Sequence, residues 1–318
     1  MSRILISGGG GFIGSNFVHH LMQNHDYDIT VVDYLNYASN LRNLDPYFND
    51  IKFFKTDISD VHLMEPIIEG QDYVINFAAE THVDNSIANN GQFVLSNVLG
   101  VDTIARLCIK YGVKKLVHIS TDETMGDWNY ERDSIEYPNG FTEKAPLNPR
   151  NPYSATKSSA ELLLNAYTET FGLKCSITRG SNTYGPRQYP EKIIPKFIQE
   201  ALAGNPLPVY GDGSALRDYL YVTDHVEAIY KVLISGNTDK GDNVYNIATN
   251  KLLSGNTIAN KILALTDYKS QIKYVEDRLG HDMCYNIDTT KINNLGWNPQ
   301  ISIEEGLERT IKWYETDN

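Results

Sequence analysis

The stretch that most limits what this chain can become is Gly8-Gly9-Gly10-Gly11-Phe12-Ile13-Gly14. It lies between an apolar run, Ile4-Leu5-Ile6-Ser7, and a segment with Phe17, Val18, Leu21 and Met22 at helical spacing. Strand, glycine turn and helix in succession predict a phosphate-binding turn. The chain must bend sharply, its backbone must approach a pyrophosphate with no Cβ in the way, and the helix N-terminus must face the negative charge. Gly8, Gly11 and Gly14 follow one glycine spacing, and Gly9, Gly11 and Gly14 satisfy the commoner Gly-x-Gly-x-x-Gly. A merely flexible loop is the competing reading, and the flanking strand and helix weigh against it.

A second strand, Ile29-Thr30-Val31-Val32, ends at Asp33, about twenty residues past the glycines, where a carboxylate would take the adenosine ribose hydroxyls. Tyr34 follows, with no arginine or lysine placed for a 2′-phosphate, so the expected cofactor is NAD rather than NADP. Lys52-Phe53-Phe54-Lys55 reads as a third strand before Asp57 and Ile58, an expected adenine-edge contact. Tyr73 to Ala79 reads as a fourth, whose closing Phe77-Ala78-Ala79 leaves room for the cofactor. Phe93 to Tyr111 reads as a long helix, and Lys115 to Ile119 as a fifth strand. Strands alternating with helices predict an α/β, Rossmann-type doubly wound parallel sheet, with ligands beyond the carboxyl ends of its strands.

Composition narrows the partners. A formal net charge of −12 argues against nucleic acid or an anionic membrane, though a few local cations could still hold a small anion. Cys108, Cys175 and Cys284 are odd in number and have no zinc spacing, so they read as reduced thiols and no metal is expected. Neither a leader nor an apolar run of transmembrane length is apparent, which predicts a soluble cytoplasmic protein.

The reacting groups are expected at Ser120-Thr121-Asp122-Glu123, past the fifth strand, and at Tyr153 and Lys157. The last two are four residues apart on a helix after Asn151-Pro152, hence on one face. A phenol titrates near ~10, and an ammonium and an oxidised nicotinamide beside it would both favour the phenolate. The pair would then remove a hydroxyl proton as hydride leaves the same carbon. Surface placement on an amphipathic helix is the alternative for the pair, and a solvated loop the alternative for Asp122 and Glu123.

The glycine turn, the Ser120-Thr121 hydroxyls and Tyr-x-x-x-Lys together resemble the extended short-chain dehydrogenase/reductase superfamily. More narrowly, the dTDP-glucose 4,6-dehydratase family is resembled by Ala79-Glu80-Thr81-His82-Val83-Asp84, Ser120 to Glu123, and Pro190-Glu191-Lys192-Ile193-Ile194-Pro195. Arg217-Asp218-Tyr219-Leu220-Tyr221-Val222 and Asp277-Arg278-Leu279-Gly280-His281-Asp282 extend the match to essentially the whole chain. The resemblance implies oxidation of a nucleotide sugar at carbon 4 with Tyr153 as base and Lys157 beside it. Glu123 would then take the carbon 5 proton, Asp122 would protonate the departing 6-hydroxyl, and hydride would return to carbon 6. Thr121 would hydrogen-bond the 4-oxygen.

The resemblance further implies cofactor contacts at Gly8, Gly11, Phe12, Ile13, Gly14, Asp33, Leu35, Asn36, Asp57, Ile58, Phe77, Ala78, Ala79, Thr81, Asn97, Ser120, Tyr153, Lys157 and Ser181. Substrate contacts are implied at His82, Ser86, Thr121, Asn182, Glu191, Lys192 and Ile193, at Pro208 and Tyr210 around the base, and at Arg217, Arg278 and His281 around the diphosphate. A guanidinium suits that task because it offers forked, permanently charged donors, although each arginine could instead pair with Asp218 or Asp277. Residues 1–180 would form the NAD-binding domain, rejoined by parts of 218–250, where Tyr219 to Val222 and Val244 to Ile247 read as strands. Residues 181–318 would form a smaller nucleotide-sugar lobe, entered at Ser181 to Pro186, which reads as the exit from a sixth strand. A homodimer is implied through the helices at 93–111 and 153–171, pairing into a four-helix bundle.

The chain departs from the pattern in places. Thr124-Met125-Gly126 stands where Val-Tyr-Gly is usual, Asn85 where arginine is common, and Met283-Cys284 where arginines are frequent. The loop between Asn246 and Thr257 aligns poorly. A UDP-sugar 4-epimerase, a dehydratase acting on UDP-glucose, and a silent NAD-binding protein are the rival readings. Asp122 and Glu123 together favour elimination of water.

Overall fold

In a computed structural model, residues 1–267, 270–277 and 281–316 are described. Twelve strands occur among them: β1 (Ser2–Ser7), β2 (Tyr27–Asp33), β3 (Lys52–Lys55), β4 (Tyr73–Asn76), β5 (Lys115–Thr121), β6 (Cys175–Gly180), β7 (Asn182–Tyr184), β8 (Leu207–Tyr210), β9 (Leu216–Tyr221), β10 (Val244–Ile247), β11 (Leu252–Ser254) and β12 (Ile272–Val275). Seven form one parallel sheet in the order β3-β2-β1-β4-β5-β6-β10. The order reverses between β1 and β4, and such a switch point opens a crevice at the strands' carboxyl ends.

Each central strand is apolar on both faces because helices cover both. Ile4, Ile6, Val31, Ile75 and Val117 point one way, against Phe17, Val18 and Leu21 of the helix Phe12–Asn24 and Val226, Ile229 and Val232 of the helix Val222–Ser235. Leu5, Val32, Val74, Leu116 and Ile177 point the other way, against Met64, Ile104, Leu107, Ala160 and Leu164. Burial on both faces is why these strands read as continuous apolar runs rather than alternating ones.

The remaining strands build a smaller lobe above the carboxyl edge. β7 and β11 flank β9, and β8 pairs with β12. Three outcomes differ from the sequence reading. Asn182–Tyr184, read as a strand exit, is itself a strand, because it finds a parallel partner in β9. The strand expected over Tyr219 to Val222 forms but stays in the smaller sheet, while the following helix and β10 return to the large one. The long helix spans Gly91–Tyr111, and by length and composition alone it could cross a membrane, contrary to expectation, although half of its apolar window is buried inside the protein. A π-helical segment, Leu95–Leu99, interrupts it.

Candidate active site

The glycine turn is tight for steric reasons. Gly8 has φ +73°, and a Cβ there would lie 2.6 Å from the backbone nitrogen of Ala78. A Cβ on Gly14 would meet the Gly8 carbonyl oxygen at 2.2 Å. The helix Phe12–Asn24 has Gly11 as N-cap and no side-chain cap, so its first-turn N–H groups are left for an anion. Asp33 ties this turn to the next loop, accepting from Gly10 N–H at 2.8 Å and Leu35 N–H at 2.7 Å.

From the turn a cleft of about 630 Å³ runs across the sheet edge to the smaller lobe. It is lined by Gly8, Gly11, Phe12, Ile13, Gly14, Asp33, Asn36, Asp57, Ile58, Phe77, Ala78, Ala79, Thr81 and Ser181 on the expected cofactor side. Ser120, Thr121, Asp122, Glu123, Tyr153 and Lys157 line its middle. His82, Asn182, Glu191, Lys192, Ile193, Pro208, Tyr210, Arg217 and His281 line the far part. The uncapped helix and the Cβ-free turn fit a dinucleotide. Between Asp33 and Ser39 the lining has no basic residue, which suits a ribose without a 2′-phosphate.

Three expected contacts lie outside this lining, and each has another task. Leu35 has its backbone N–H committed to Asp33. Asn97 is buried, accepting from Glu80 N–H at 2.9 Å and donating to Glu80 O at 3.0 Å and Thr156 Oγ1 at 2.9 Å, so it fixes the loop past β4 to the Tyr153 helix. Ser86 is buried and accepts the Tyr153 N–H at 3.2 Å, holding the helix start that carries the phenol. Arg278 lies outside the described residues.

At the end of β5 the chain turns through a 3-10 segment, Asp122–Met125, capped by the Thr121 hydroxyl, which accepts Glu123 N–H at 3.3 Å and donates to Asp122 Oδ1 at 3.1 Å. Asp122 is buried, with Oδ2 lacking a partner among the described residues. Burial, followed by the charge of Glu123, pushes its carboxyl up to about 8. The half-buried Glu123 accepts from Asn151 Nδ2 at 3.2 Å, while Asn151 Oδ1 caps the helix Pro152–Phe171 through Ser154 N–H at 2.8 Å. One asparagine thus positions a carboxylate and starts the helix bearing Tyr153 and Lys157.

Tyr153 does not sit under the influence expected for it. Burial, then the charges of Glu123 and Asp122, raise its phenol above the ordinary range, and the opposing pull is a hydrogen bond with Thr121. Lys157 Nζ donates to Ile119 O at 2.6 Å and lies 3.4 Å from His118 Nε2. Burial, partly opposed by Glu161, pulls this ammonium down to about 8. The protein alone therefore keeps a phenol, not a phenolate.

The unusual Thr124-Met125 has a packing explanation. Thr124 is buried and donates to Thr121 O at 2.8 Å, closing the turn from inside. Met125 fills a cluster with Trp128, Phe141, Ala145 and Cys284, and its sulfur accepts from Arg179 Nη1 at 3.2 Å. Arg179 is also forked onto buried Glu161, Nη2 to Oε2 at 2.7 Å, and Glu161 accepts the Ser120 hydroxyl at 2.5 Å. Asn85 likewise finds a partner: its amide donates to Tyr37 Oη at 3.1 Å, and Tyr37 donates to Glu191 Oε2 at 2.9 Å. Lys192 donates to Thr81 O at 2.8 Å, so two bonds span the cleft.

Arg217 is buried and does not pair with Asp218, which accepts from Ser181, Thr249 and Lys251 instead. Its guanidinium donates to Leu216 O and Asp282 O, both at 2.7 Å, and stacks 4.2 Å from the Tyr285 ring centroid. Its charge makes no ion pair among the described residues. The sequence reading missed Asn151, Tyr285, Tyr37 and His225, of which the last three line the cleft. Asn151 had a signal, since Asn before Pro ahead of a helical pattern marks an N-cap. The others had none.

A family model described as GDP-mannose 4,6 dehydratase matches residues 5–310. The chain belongs to that family. Among its relatives is the low-salt glycan biosynthesis protein Agl12 of Haloferax volcanii, 45% identical, with 99% of each chain covered. The trifunctional UDP-glucose 4,6-dehydratase/epimerase/reductase RHM1 of Arabidopsis thaliana is 42% identical over 98% of this chain, which spans only 47% of that longer protein. The dTDP-glucose 4,6-dehydratase DesIV of Streptomyces venezuelae, solved with NAD bound, superposes with TM-score 0.92 at 38% identity, covering 98% of this chain and 97% of its own.

Proposed function

We propose that this chain is a hydro-lyase that converts a nucleoside-diphosphate glucose, dTDP-glucose foremost, into its 4-keto-6-deoxy derivative and water. The observation that carries this reading is the pair at the end of β5. Asp122 keeps its proton to about pH 8 and offers an unpartnered Oδ2, while Glu123 is held beside it by Asn151. Two adjacent carboxyls in unequal surroundings, one buried and the other held by an amide, suit an acid and a base acting on neighbouring carbons. The dTDP-glucose dehydratase likeness supports the thymidine nucleotide. The likeness to the plant protein gives UDP-glucose as the second reading.

NAD would lie on Gly8 to Gly14 and Asp33, accepting hydride from carbon 4 and returning it at carbon 6, so no external reductant is consumed. Tyr153 contacts the 4-hydroxyl and Thr121 its oxygen. Once carbon 4 is a ketone, the carbon 5 proton is acidic; Glu123 removes it and Asp122 protonates the departing 6-hydroxyl. Arg217, with Lys192 and His281, takes the diphosphate, and Pro208 and Tyr210 face the base. The domain at 1–180, rejoined by 222–247, carries the cofactor, and 181–318 otherwise carries the sugar nucleotide. We place the protein in the cytoplasm as a homodimer.

The test is incubation with dTDP-, UDP- and GDP-glucose without added reductant. A 4-keto-6-deoxy product is expected; a 4-epimer would sink the reading, and no turnover of any sugar would point to a silent binding protein. Glu123→Gln is expected to slow elimination by about 10²–10⁴-fold with nucleotide-sugar binding kept. Unchanged turnover would refute the role of Glu123.

A further inference from the structure

Arg217 makes no ion pair among the described residues, although a buried carboxylate stands next to it. Its Nη2 donates at 2.7 Å to the main-chain oxygen of Asp282, so the carboxylate of that same residue comes within reach by rotation about its side-chain bonds. Asp282 is 1% exposed, and opposite charges in such an interior attract strongly. The carboxylate is held elsewhere. Its Oδ2 accepts the Tyr285 hydroxyl at 2.5 Å. Its Oδ1 lies 2.8 Å from Nη1 of Arg150, an ion pair without the alignment of a hydrogen bond.

Arg150 comes from a distant part of the chain. It directly precedes Asn151, which caps the Tyr153 helix and holds Glu123. Its side chain is 44% exposed and lies 3.7 Å from Asp127 Oδ2, while Asp127 Oδ1 accepts the N–H groups of Met283 and Cys284 at 2.7 and 2.9 Å. Those two bonds fix the main chain just past Asp282, so its side chain is the part left to turn. Met283 and Cys284 bring no charge, and Arg150 is the one cation paired with Asp282 among the described residues. We propose that Arg150 is a positioning residue: by neutralising Asp282 it keeps that carboxylate off Arg217, and so leaves the Arg217 charge for the diphosphate of a nucleotide. The inference rests on the proposed function only in giving Arg217 a diphosphate to bind.

The competing arrangement lies within the same site. A buried carboxylate stripped of its counter-charge is strongly unfavourable, and Arg217 is at hand to replace it. An Arg217–Asp282 pair would meet the ligand with a neutralised guanidinium whose donor fork is already engaged. A diphosphate would first have to displace the carboxylate. As the chain stands, Leu216 O, Asp282 O and the Tyr285 ring fix the Arg217 guanidinium without neutralising it.

Calorimetry on the full-length protein with NAD tests this. The titrants are whichever of dTDP, UDP and GDP the parent binds most tightly, and the matching nucleoside as a phosphate-free control. Arg150→Ala should weaken nucleotide binding about tenfold and leave the nucleoside alone. Adding Asp282→Asn to it should recover most of the loss, because an amide still accepts from Tyr285 but has no charge to set against Arg217. Arg150→Lys keeps a cation in place and should bind the nucleotide more tightly than Arg150→Ala does. Unchanged nucleotide binding in Arg150→Ala would overturn the proposal, as would a double variant no better than Arg150→Ala, or equal binding by the lysine and alanine variants. An equal loss for the nucleoside would overturn it too, since the arginine would then only support the fold, and so would a parent that binds none of the three nucleotides. Binding is read without turnover, so this result fails separately from the product assay that tests the dehydratase reading.

Discussion

Asp122 and Glu123 are neighbours in sequence yet sit in different surroundings, and that difference sets a pH dependence. Asp122 is buried beside a carboxylate, and its carboxyl is pushed up from 3.8 to about 8. As the general acid it must hold a proton, so turnover should fall on the alkaline side as pH passes about 8, and Asp122→Asn should lose about 10²–10⁴-fold. The same shift is a stability statement. A folded carboxyl that binds its proton more tightly than the unfolded one costs the fold stability as pH rises from the ordinary carboxylate range to about 8. Asparagine bears no such cost. Fluorescence melting should therefore find Asp122→Asn higher-melting than its parent at mildly alkaline pH, with the gap closing towards acid pH. A gap that widened in acid would contradict the burial-driven cause.

Elements place these residues, and Asn151 is where two of them meet. Its oxygen caps the Pro152–Phe171 helix and its amide holds Glu123. Asn151→Ala should cost about 1 kcal/mol, the usual loss for such a cap, and also slow turnover. Asn151→Ser keeps a capping oxygen but cannot reach Glu123 in the same way, so urea unfolding should recover while kcat does not. If both recovered together, the amide contact would have no catalytic weight. Element identity was largely legible beforehand. Ile4 to Ser7, Ile29 to Val32 and Lys115 to Ile119 carry apolar runs that only a doubly covered strand explains. Asn182–Tyr184 was not legible, because a three-residue strand is defined by its partner β9 rather than by its own pattern.

At the scale of the whole molecule, the faces the fold leaves uncovered point to assembly. Val94, Leu95 and Leu99 on the helix Gly91–Tyr111 are 48%, 46% and 43% exposed, and Leu162 on the Tyr153 helix is 61% exposed. Apolar side chains clustered on two adjacent helices suit burial against a second copy. Light scattering at micromolar concentration should give a dimer mass for the parent and a monomer mass for a Leu95→Glu, Leu99→Glu variant. A monomeric parent would dispose of the four-helix interface.

The amino-acid sequence by itself determined the doubly wound sheet, the phosphate turn at Gly8 to Gly14, and the placing of Tyr153 and Lys157 on one helix face. These follow from local patterns: strand and helix periodicity, glycines where no Cβ fits, and side chains one turn apart. Only the tertiary structure decided protonation and support. That Asp122 holds its proton, that Tyr153 is a phenol, and that Asn97 and Ser86 are buried outside the cleft lining all depend on burial. Burial and hydrogen-bond partnership arise between residues distant in the chain, as with Ser7, Asn76, His118 and Lys157, and no local pattern encodes them.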